Sequence, residues 1–285
     1  MLVRTVVQNL RDGGQDRWDQ LAKRINAVRP DLVLLNEALD WAEGEPPMLS
    51  RAAHDLGLAP LPLPPSRTGY HVAIFYKPAT IGDPADVCDD FSAEMCHGVL
   101  SAAWDVGLPE PLGVTVTHLS PFSTIDAVRD AQKTGYTASR YGRYSVIGGG
   151  FSYPPLYGPD PDLARMSTLS LARQFKDPLA SPPVIRNTDV AQSLANDGYH
   201  DSFEILHRRT GNARYIARTG KSDRTDWTLV SGALVPAVAD GELLDTPEGA
   251  CEYHGLALTL DTSRADQQGT TAPGPYSQSR LRKTT

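Results

Sequence analysis

Three residues in the first half of this chain combine chemically useful side chains with positions after apolar runs. Asn9, Glu37 and His118 each follow a segment that is typical of a buried strand. A positioned carboxylate or imidazole can act as a general base or acid, and carboxylate and amide oxygens are ligands that Mg²⁺ accepts. These residue types therefore indicate acid/base or metal-assisted chemistry.

A second polar group lies in the last quarter of the chain. Its members are Asp226, Cys251, Glu252, Tyr253 and His254. Glu37 or Glu252 could act as the base for a small organic substrate, and Tyr253 or His118 could act as the acid. Cys251 is a weaker candidate for a nucleophile, because the sequence places no base beside it.

The elements that must position these side chains follow from hydrophobic periodicity. Strands are predicted over Leu2–Val7, Leu32–Leu35, His71–Tyr76, Leu100–Val106, Leu112–Thr117, Ser145–Ile147, Trp227–Val230, Leu234–Val238 and Leu256–Leu260. Helices are predicted over Asp16–Val28, Pro47–Leu56, Ile125–Arg140, Leu163–Phe175 and Asp189–Asn196. The alternation of buried strands with helices predicts an α/β fold.

Length and composition predict one domain followed by a tail. The 285 residues, 40% of them hydrophobic, are enough for one large core, which we place over residues 1–262. Residues 263–285 are rich in polar side chains and are predicted to be a disordered tail. The Pro- and Gly-rich loop at Tyr153–Asp162 is long for a compact domain, which is typical of a functional loop.

Net charge, cysteine spacing and targeting signals limit the possible partners and location of the protein. The net charge of −7 makes long nucleic acid an unlikely partner, because phosphates are held chiefly by Lys and Arg. The three cysteines lack C-x-x-C spacing, so neither a disulfide framework nor a zinc site is indicated. We find no signal-peptide pattern and no apolar run of membrane-spanning length, so we expect a soluble cytoplasmic protein with no membrane partner. The number of subunits stays open.

Six segments, in this order, give the chain a more specific identity. They are V-V-Q-N-L at 6–10, R-P-D-L-V-L-L-N-E-A at 29–38, T-H-L-S-P at 117–121, G-G-G-F-S at 148–152, D-R-T-D-W at 223–227 and C-E-Y-H-G at 251–255. The series resembles the endonuclease/exonuclease/phosphatase family of metal-dependent phosphoesterases, whose marks are W-N, P-D-x-x-x-L-Q-E, T-H-L, G-D-x-N, R-I-D and S-D-H. The resemblance covers about residues 1 to 262.

This resemblance implies a four-layer α-β-β-α sandwich of two packed mixed sheets flanked by helices, with the site at the strand ends on one edge. Asn9 and Glu37 match the positions that hold a divalent metal in the family, and His118 matches the histidine that donates to a phosphoryl oxygen. The residues expected to converge are Asn9, Glu37, Tyr70, His118, Ser152, Asp226, Glu252 and Tyr253. No cofactor, or weakly bound Mg²⁺ or Mn²⁺, is expected.

The chain departs from the family at the positions that act on water. Gly150 and Ser152 replace the aspartate and asparagine of G-D-x-N, and Glu252 and Tyr253 replace the aspartate and histidine of S-D-H. Tyrosine has a reference pKa near 10, so it does not readily act as a cation near pH 7. In an alternative register His254 takes the histidine position; otherwise it is a substrate-binding candidate.

These departures predict a repurposed enzyme that acts on a small organic molecule by acid/base chemistry, with phosphodiester hydrolysis lost or very weak. Proton transfer by one positioned group contributes about 10²–10⁴-fold to rate, and groups that act as a unit fail together. Two alternatives remain. One is a residual Mg²⁺-dependent phosphoesterase or nuclease that uses Asn9, Glu37, His118 and Asp226, and the other is a non-catalytic protein that binds a ligand in the same pocket.

Overall fold

Two six-stranded mixed sheets form the centre of the fold in the computed structural model, which describes residues 1–245 and 253–268. In spatial order the first sheet contains β11 (Val238–Leu244), β12 (Gly255–Asp261), β1 (Leu2–Asn9), β2 (Leu32–Leu39), β4 (Tyr70–Tyr76) and β3 (Ala59–Pro60). The second contains β5 (Asp86–Cys88), β6 (Val99–Trp104), β7 (Leu112–His118), β8 (Ser145–Gly150), β10 (Asp226–Ser231) and β9 (Tyr199–Asp201). Strands β1 and β2 run parallel, as do β7 and β8.

In the described residues, seven α-helices accompany the sheets. They are α1 (Trp18–Ala27), α2 (Met48–Leu56), α3 (Pro78–Ile81), α4 (Thr124–Ala138), α5 (Thr168–Gln174), α6 (Asp189–Asn196) and α7 (Ser202–Thr210). Helices α1 and α2 share one apolar cluster with the outer face of the first sheet, and α4 and α6 share another with the second. A third cluster lies between the two sheets. The predicted four-layer α/β sandwich is therefore confirmed.

Apolar periodicity explains the main elements. In α1, Trp18, Leu21 and Ile25 recur at helical spacing and are buried against the first sheet. Strands β7 and β8 are buried along their whole length, which accounts for their continuous apolar or glycine-rich sequences. Among the described residues, no helix combines the length and the apolar character needed to cross a bilayer.

Two predicted elements differ from the structure. The strand predicted over Leu234–Val238 is wrong: residues Gly232–Ala237 form a 3₁₀ helix containing Pro236, whose missing N–H cannot join a strand ladder. The helix predicted over Leu163–Phe175 is interrupted. It divides into a 3₁₀ turn and α5, because the Ser167 side chain accepts a hydrogen bond from Ser170 N–H and caps a new helix.

The end of the domain is held by residues just beyond 262. Ala265 is buried, and the Tyr144 hydroxyl donates to the Asp266 carbonyl oxygen at 3.0 Å. The chain therefore packs against the sandwich through Asp266. Of the segment predicted to be a disordered tail, residues 269–285 lie outside the described part of the chain.

The glycine run at the end of β8 allows close packing on both sides. A Cβ atom on Gly148 would lie 2.4 Å from Val7 Cγ2, across the interface between the sheets. Gly149 has a φ of +151°, and a Cβ there would lie 1.8 Å from the Thr117 carbonyl oxygen on β7. Both positions need glycine, and both precede the residue that reaches the edge of the sheet.

We expect Gly149→Ala to lower the free energy of unfolding by about 3 kcal/mol, because it combines an unfavourable φ with a backbone overlap. Gly57→Ala is the matched control, since Gly57 has a φ of +64° and open space around it. That control should lose only about 1–2 kcal/mol. Chemical denaturation of both variants measures the difference, and equal losses would contradict the close approach of β8 to β7.

Candidate active site

Strand register brings the predicted residues to one edge of the sandwich. On the second sheet, Gly150 pairs with His118 on one side and with Asp226 on the other. On the first sheet, Asn9 at the end of β1 pairs with Asn36 on β2. The carboxyl ends of the two parallel strand pairs thus supply the floor of one cleft, as is common where ligands bind α/β sheets.

A β-bulge places Glu37. The register between β2 and β4 shifts between Asn36 and Ala38, and Glu37 between them has a φ of +65°. A bulge of this kind re-aims a side chain relative to a regular strand. Ser152 also adopts a left-handed backbone, with a φ of +62°. Two predicted site residues therefore occupy conformations that non-glycine residues seldom adopt, which is common at functional positions.

The cleft has a volume of about 430 Å³. The predicted residues that line it are Asn9, Glu37, Tyr70, His118, Ser152, Asp226 and Tyr253. Predicted His254 is not among its lining residues: the His254 Nδ1 atom lies 3.8 Å from Asp245 Oδ1, and the ring is part-exposed. Within the described chain it is thus Tyr253 that faces the cleft. Glu252 and Cys251 lie outside the described residues.

The side-chain amide of Asn9 connects the two acidic residues. Asn9 Nδ2 donates to Glu37 Oε1 at 3.1 Å and to Asp226 Oδ1 at 3.4 Å. Glu37 Oε2 accepts a second hydrogen bond from the Asp12 backbone N–H at 3.2 Å. Because Glu37 belongs to the first sheet and Asp226 to the second, this amide joins the edges of both sheets at the cleft.

Burial raises the pKa of both carboxyl groups. Burial raises the pKa of Glu37, and the hydrogen bonds from Asn9 and Asp12 offset part of that rise. Burial and the nearby charge of Glu37 together raise the pKa of Asp226 to about 7. A carboxyl group poised near neutrality is suited to proton transfer in either direction.

Two stacked imidazoles form one wall. The rings of His97 and His118 lie with their centroids 4.5 Å apart, and His118 Nε2 is 3.7 Å from Glu37 Oε1. Burial lowers the pKa of His97 to about 3, and burial with the charge of Arg173 does the same for His118. Both rings are therefore neutral near pH 7, so His118 can donate a hydrogen bond from one ring nitrogen and accept one at the other.

Two phenols supply further donors. Burial raises the pKa of Tyr253, with the charges of Asp226 and Glu37 adding to the effect, so its hydroxyl stays protonated near pH 7. Tyr70 donates its hydroxyl to Asp12 Oδ1 at 2.9 Å. Tyr253 thus stands where the resemblance implies a histidine and offers an uncharged donor.

The floor is packed closely around the missing side chain of Gly150. A Cβ atom there would lie 2.8 Å from Asn36 Nδ2 and 2.9 Å from His118 Cδ2. Atoms at such distances overlap, so any side chain at 150, including aspartate, requires Asn36 or His118 to move. His118 and Asn36 therefore occupy space that a residue with a side chain would need.

The donor set does not form a closed metal site. Asn9 Oδ1 accepts from Arg11 N–H at 2.9 Å, and its Nδ2 faces the carboxylates, so the amide presents N–H groups to Glu37. Within residues 1–245 and 253–268, no three His, Cys, Asp or Glu side chains are grouped to hold a cation. Mg²⁺ prefers near-octahedral oxygen ligands. Of the two metal ligands implied by the resemblance, Glu37 presents a carboxylate to the cleft, whereas Asn9 directs its Nδ2 group towards the carboxylates.

Several lining residues have no counterpart in the sequence prediction. They are Asp12, His97, Phe122, Arg165, Leu169, Arg173, Lys221 and Asp223. Most come from segments whose placement depends on tertiary contacts. One such segment is α5, which contacts the floor of the cleft where Gln174 Nε2 donates to the Ser152 carbonyl oxygen at 3.5 Å. His97 precedes β6 and carried a weak signal, as a histidine beside a strand; no signal marked the arginines.

Comparison with known proteins supports the fold. No family model and no curated protein matches the sequence. The chain is similar in structure to the 3′ phosphatase NExo from Neisseria bound to a product DNA hairpin, at 16% identity over 91% of this chain and 99% of that one, with a TM-score of 0.63. It is also similar to two proteins from Bacteroides thetaiotaomicron. One is an endonuclease/exonuclease/phosphatase family protein, at 13% identity over 91% of this chain and 97% of that one, with a TM-score of 0.60. The other is a mannosyl-6-phosphatase, at 13% identity over 90% of this chain and 98% of that one, with a TM-score of 0.58. These similarities show the endonuclease/exonuclease/phosphatase fold.

The packing at Gly150 predicts energetic coupling to Asn36. Gly150→Ala should destabilise the protein by about 1–3 kcal/mol through overpacking. In an Asn36→Ala background the same change should cost less, with a coupling energy of about 0.5–3 kcal/mol, because the overlapping amide is gone. A double-mutant cycle of unfolding free energies measures this coupling. Additive effects would show that the two residues do not share that space.

The pKa of Asp226 predicts how stability depends on pH. Its folded-state pKa of about 7 lies above its ordinary value of 3.8, so the folded protein keeps a proton that the unfolded chain releases between these values. The resulting stabilisation is complete at acid pH and is lost as pH rises through about 7. The unfolding free energy of Asp226→Asn minus that of the parent should therefore be larger near pH 8 than near pH 4, by at least about 1 kcal/mol. A smaller advantage at pH 8 than at pH 4 would contradict the raised pKa.

Proposed function

We propose that this chain is an enzyme that uses the endonuclease/exonuclease/phosphatase scaffold for acid/base chemistry on a small organic molecule, with phosphodiester hydrolysis lost or very weak. The observation that carries the proposal is the packing of Asn36 and His118 around Gly150. A site that had merely lost a carboxylate would leave its space open. At Gly150 a Cβ atom alone would overlap the neutral side chains of Asn36 and His118, so a carboxylate there requires one of them to move, which supports a site adapted to another reaction.

The proposed roles follow from charge and position. Asp226, with a pKa of about 7, and Glu37, with a raised pKa, act as the proton-transferring pair. Neutral His118 and the protonated hydroxyl of Tyr253 donate hydrogen bonds to the substrate from the facing walls. Asn9 keeps the two carboxyl groups together, and Ser152 and Tyr70 contact the substrate. Glu252 stays a candidate for a second base.

A residual phosphoesterase is the second candidate. It is favoured by the convergence of Asn9, Glu37, His118 and Asp226, the four retained family positions, in one cleft. It is also consistent with the phosphatases among the structural neighbours. A divalent cation in that reaction would depend on Glu37 and on oxygens from water and substrate. We propose long nucleic acid as a poor substrate for either candidate, because the chain carries a net charge of −7.

The acid/base proposal is tested by incubating the purified protein with fractionated small-molecule extracts and following the masses consumed and formed. We expect one conversion that falls by about 10²–10⁴-fold in Asp226→Asn and in Glu37→Gln, because each removes a proton-transferring group. Glu43→Gln, which removes an exposed carboxylate outside the cleft, should leave the rate unchanged. A conversion that is indifferent to both cleft variants would contradict the assignment.

The two candidates are separated by hydrolysis assays with Mg²⁺ or Mn²⁺. The acid/base proposal predicts no appreciable release of phosphate from a 3′-phosphorylated DNA hairpin or from mannose 6-phosphate. It also predicts no appreciable release of p-nitrophenol from bis(p-nitrophenyl) phosphate. Robust turnover of any of these that disappears with a chelator and in His118→Ala would place the phosphoesterase first. If neither assay nor extract shows turnover, and the extract shows only a bound ligand, the protein is a binding protein and the enzyme proposal fails.

A further inference from the structure

Two large apolar side chains stand exposed at the mouth of the cleft. Phe122, in the loop after β7, is 67% exposed, and Leu169, on α5, is 51% exposed; both line the cleft. They come from separate parts of the chain and line the same cleft, whose floor is polar. Apolar side chains that line a concave site are characteristic of contact with the body of a small ligand.

A cation faces the same space. Arg173, on α5, lines the cleft and, among the described residues, makes no ion pair within 4.0 Å; Nη2 donates to Ser170 Oγ at 3.4 Å. Arg165, by contrast, is paired with Asp162 at 3.4 Å. The positive charge of Arg173 also reaches the floor, because it is one cause of the lowered pKa of His118. Burial raises the pKa of Asp223, another lining residue, and the charge of Arg173 offsets part of that rise, but Arg186 and Arg218 share that carboxylate. The positive charge of Arg173 is therefore positioned to hold an anionic group.

The charges on the floor restrict where that anion can lie. Asp12, Glu37 and Asp226 line the cleft around the Asn9 amide, so an anion there would meet like charge. The same anion at Arg173 gains a charge-assisted hydrogen bond. The cleft therefore has an acidic end that suits an uncharged polar group, a cationic side, and an apolar mouth.

We infer that the substrate is a small organic oxyanion with an apolar body, whose anionic group binds Arg173 and whose aryl or alkyl part lies between Phe122 and Leu169. The inference rests on the proposed function, because the uncharged polar group of that molecule is the part that faces Glu37 and Asp226. Specificity then comes from three separate contacts instead of one.

Binding of matched probes tests this substrate class. By calorimetry or ligand-observed NMR, 4-phenylbutanoate should bind at least about tenfold more tightly than 4-phenylbutanol, which lacks the charge, and than butanoate, which lacks the ring. Phenyl phosphate serves as the second oxyanion, and its rank against 4-phenylbutanoate shows whether Arg173 prefers a phosphate or a carboxylate. Equal binding of the alcohol and the acid, or of butanoate and 4-phenylbutanoate, would overturn the inference.

Variants assign the preference to residues. Arg173→Met should erase the advantage of the acid over the alcohol, and Phe122→Ser with Leu169→Ser should erase the advantage of the phenyl acid over butanoate. Leu179→Ser, at a side chain that is 97% exposed and outside the cleft, should change neither. Circular dichroism of each variant checks that it is folded. A folded Arg173→Met that keeps the preference for the acid would contradict the assignment.

The same probes separate this inference from the enzyme proposal. Asp226→Asn should keep the probe ranking while losing turnover, because Asp226 lies at the acidic end and not at Arg173. If the parent protein shows the expected ranking of probe affinities but no turnover, the inferred ligand class is supported and the enzyme proposal is contradicted. Turnover of a substrate that lacks either the anion or the apolar part would keep the enzyme proposal and overturn the ligand class.

Discussion

The contact on which the site depends is the pair of hydrogen bonds from the Asn9 amide to Glu37 and Asp226. Two buried carboxyl groups on separate sheets repel each other when both are ionised, and one of them then keeps its proton more readily. The amide holds them together and donates to both. Its own oxygen is fixed by Arg11 N–H, which sets which face of the amide the acids meet. Burial raises both pKa values, the charge of Glu37 raises that of Asp226 further, and the amide lowers both; the proposed acid/base pair depends on the net rise.

Glycine makes the arrangement possible. At Gly148 the two sheets approach closely enough that a methyl group would overlap Val7, and at Gly150 the space is taken by Asn36 and His118. A run of glycines at a strand end therefore does more here than terminate β8. It brings the first sheet, which carries Asn9 and Glu37, against the second, which carries His118 and Asp226. At Gly150 the absence of a side chain allows Asn36 and His118 to approach the backbone of β8 closely.

Sequence patterns predicted the parts of the molecule that depend on local periodicity. The apolar runs before Asn9, Glu37 and His118 gave the strands whose ends line the cleft, and the ordered motifs gave the four-layer fold. The bulge at Glu37 could not be predicted, because a left-handed glutamate has no sequence signature. Arg173 was missed because its position depends on how the segment of α5 returns to the floor, where Gln174 contacts Ser152. The strand prediction at Leu234–Val238 was wrong because Pro236 lies within a 3₁₀ helix there and lacks the N–H that a strand ladder needs.

¹³C NMR of the Asp226 carboxyl group over pH is the most direct test of whether Asp226 and Glu37 form a coupled acid/base pair. We expect a titration midpoint of about 7 for Asp226 in the parent protein. In Glu37→Gln, where the neighbouring charge is gone, the midpoint should be lower. A midpoint near the ordinary value of 3.8, unchanged by Glu37→Gln, would contradict the coupling and with it the proposed chemistry.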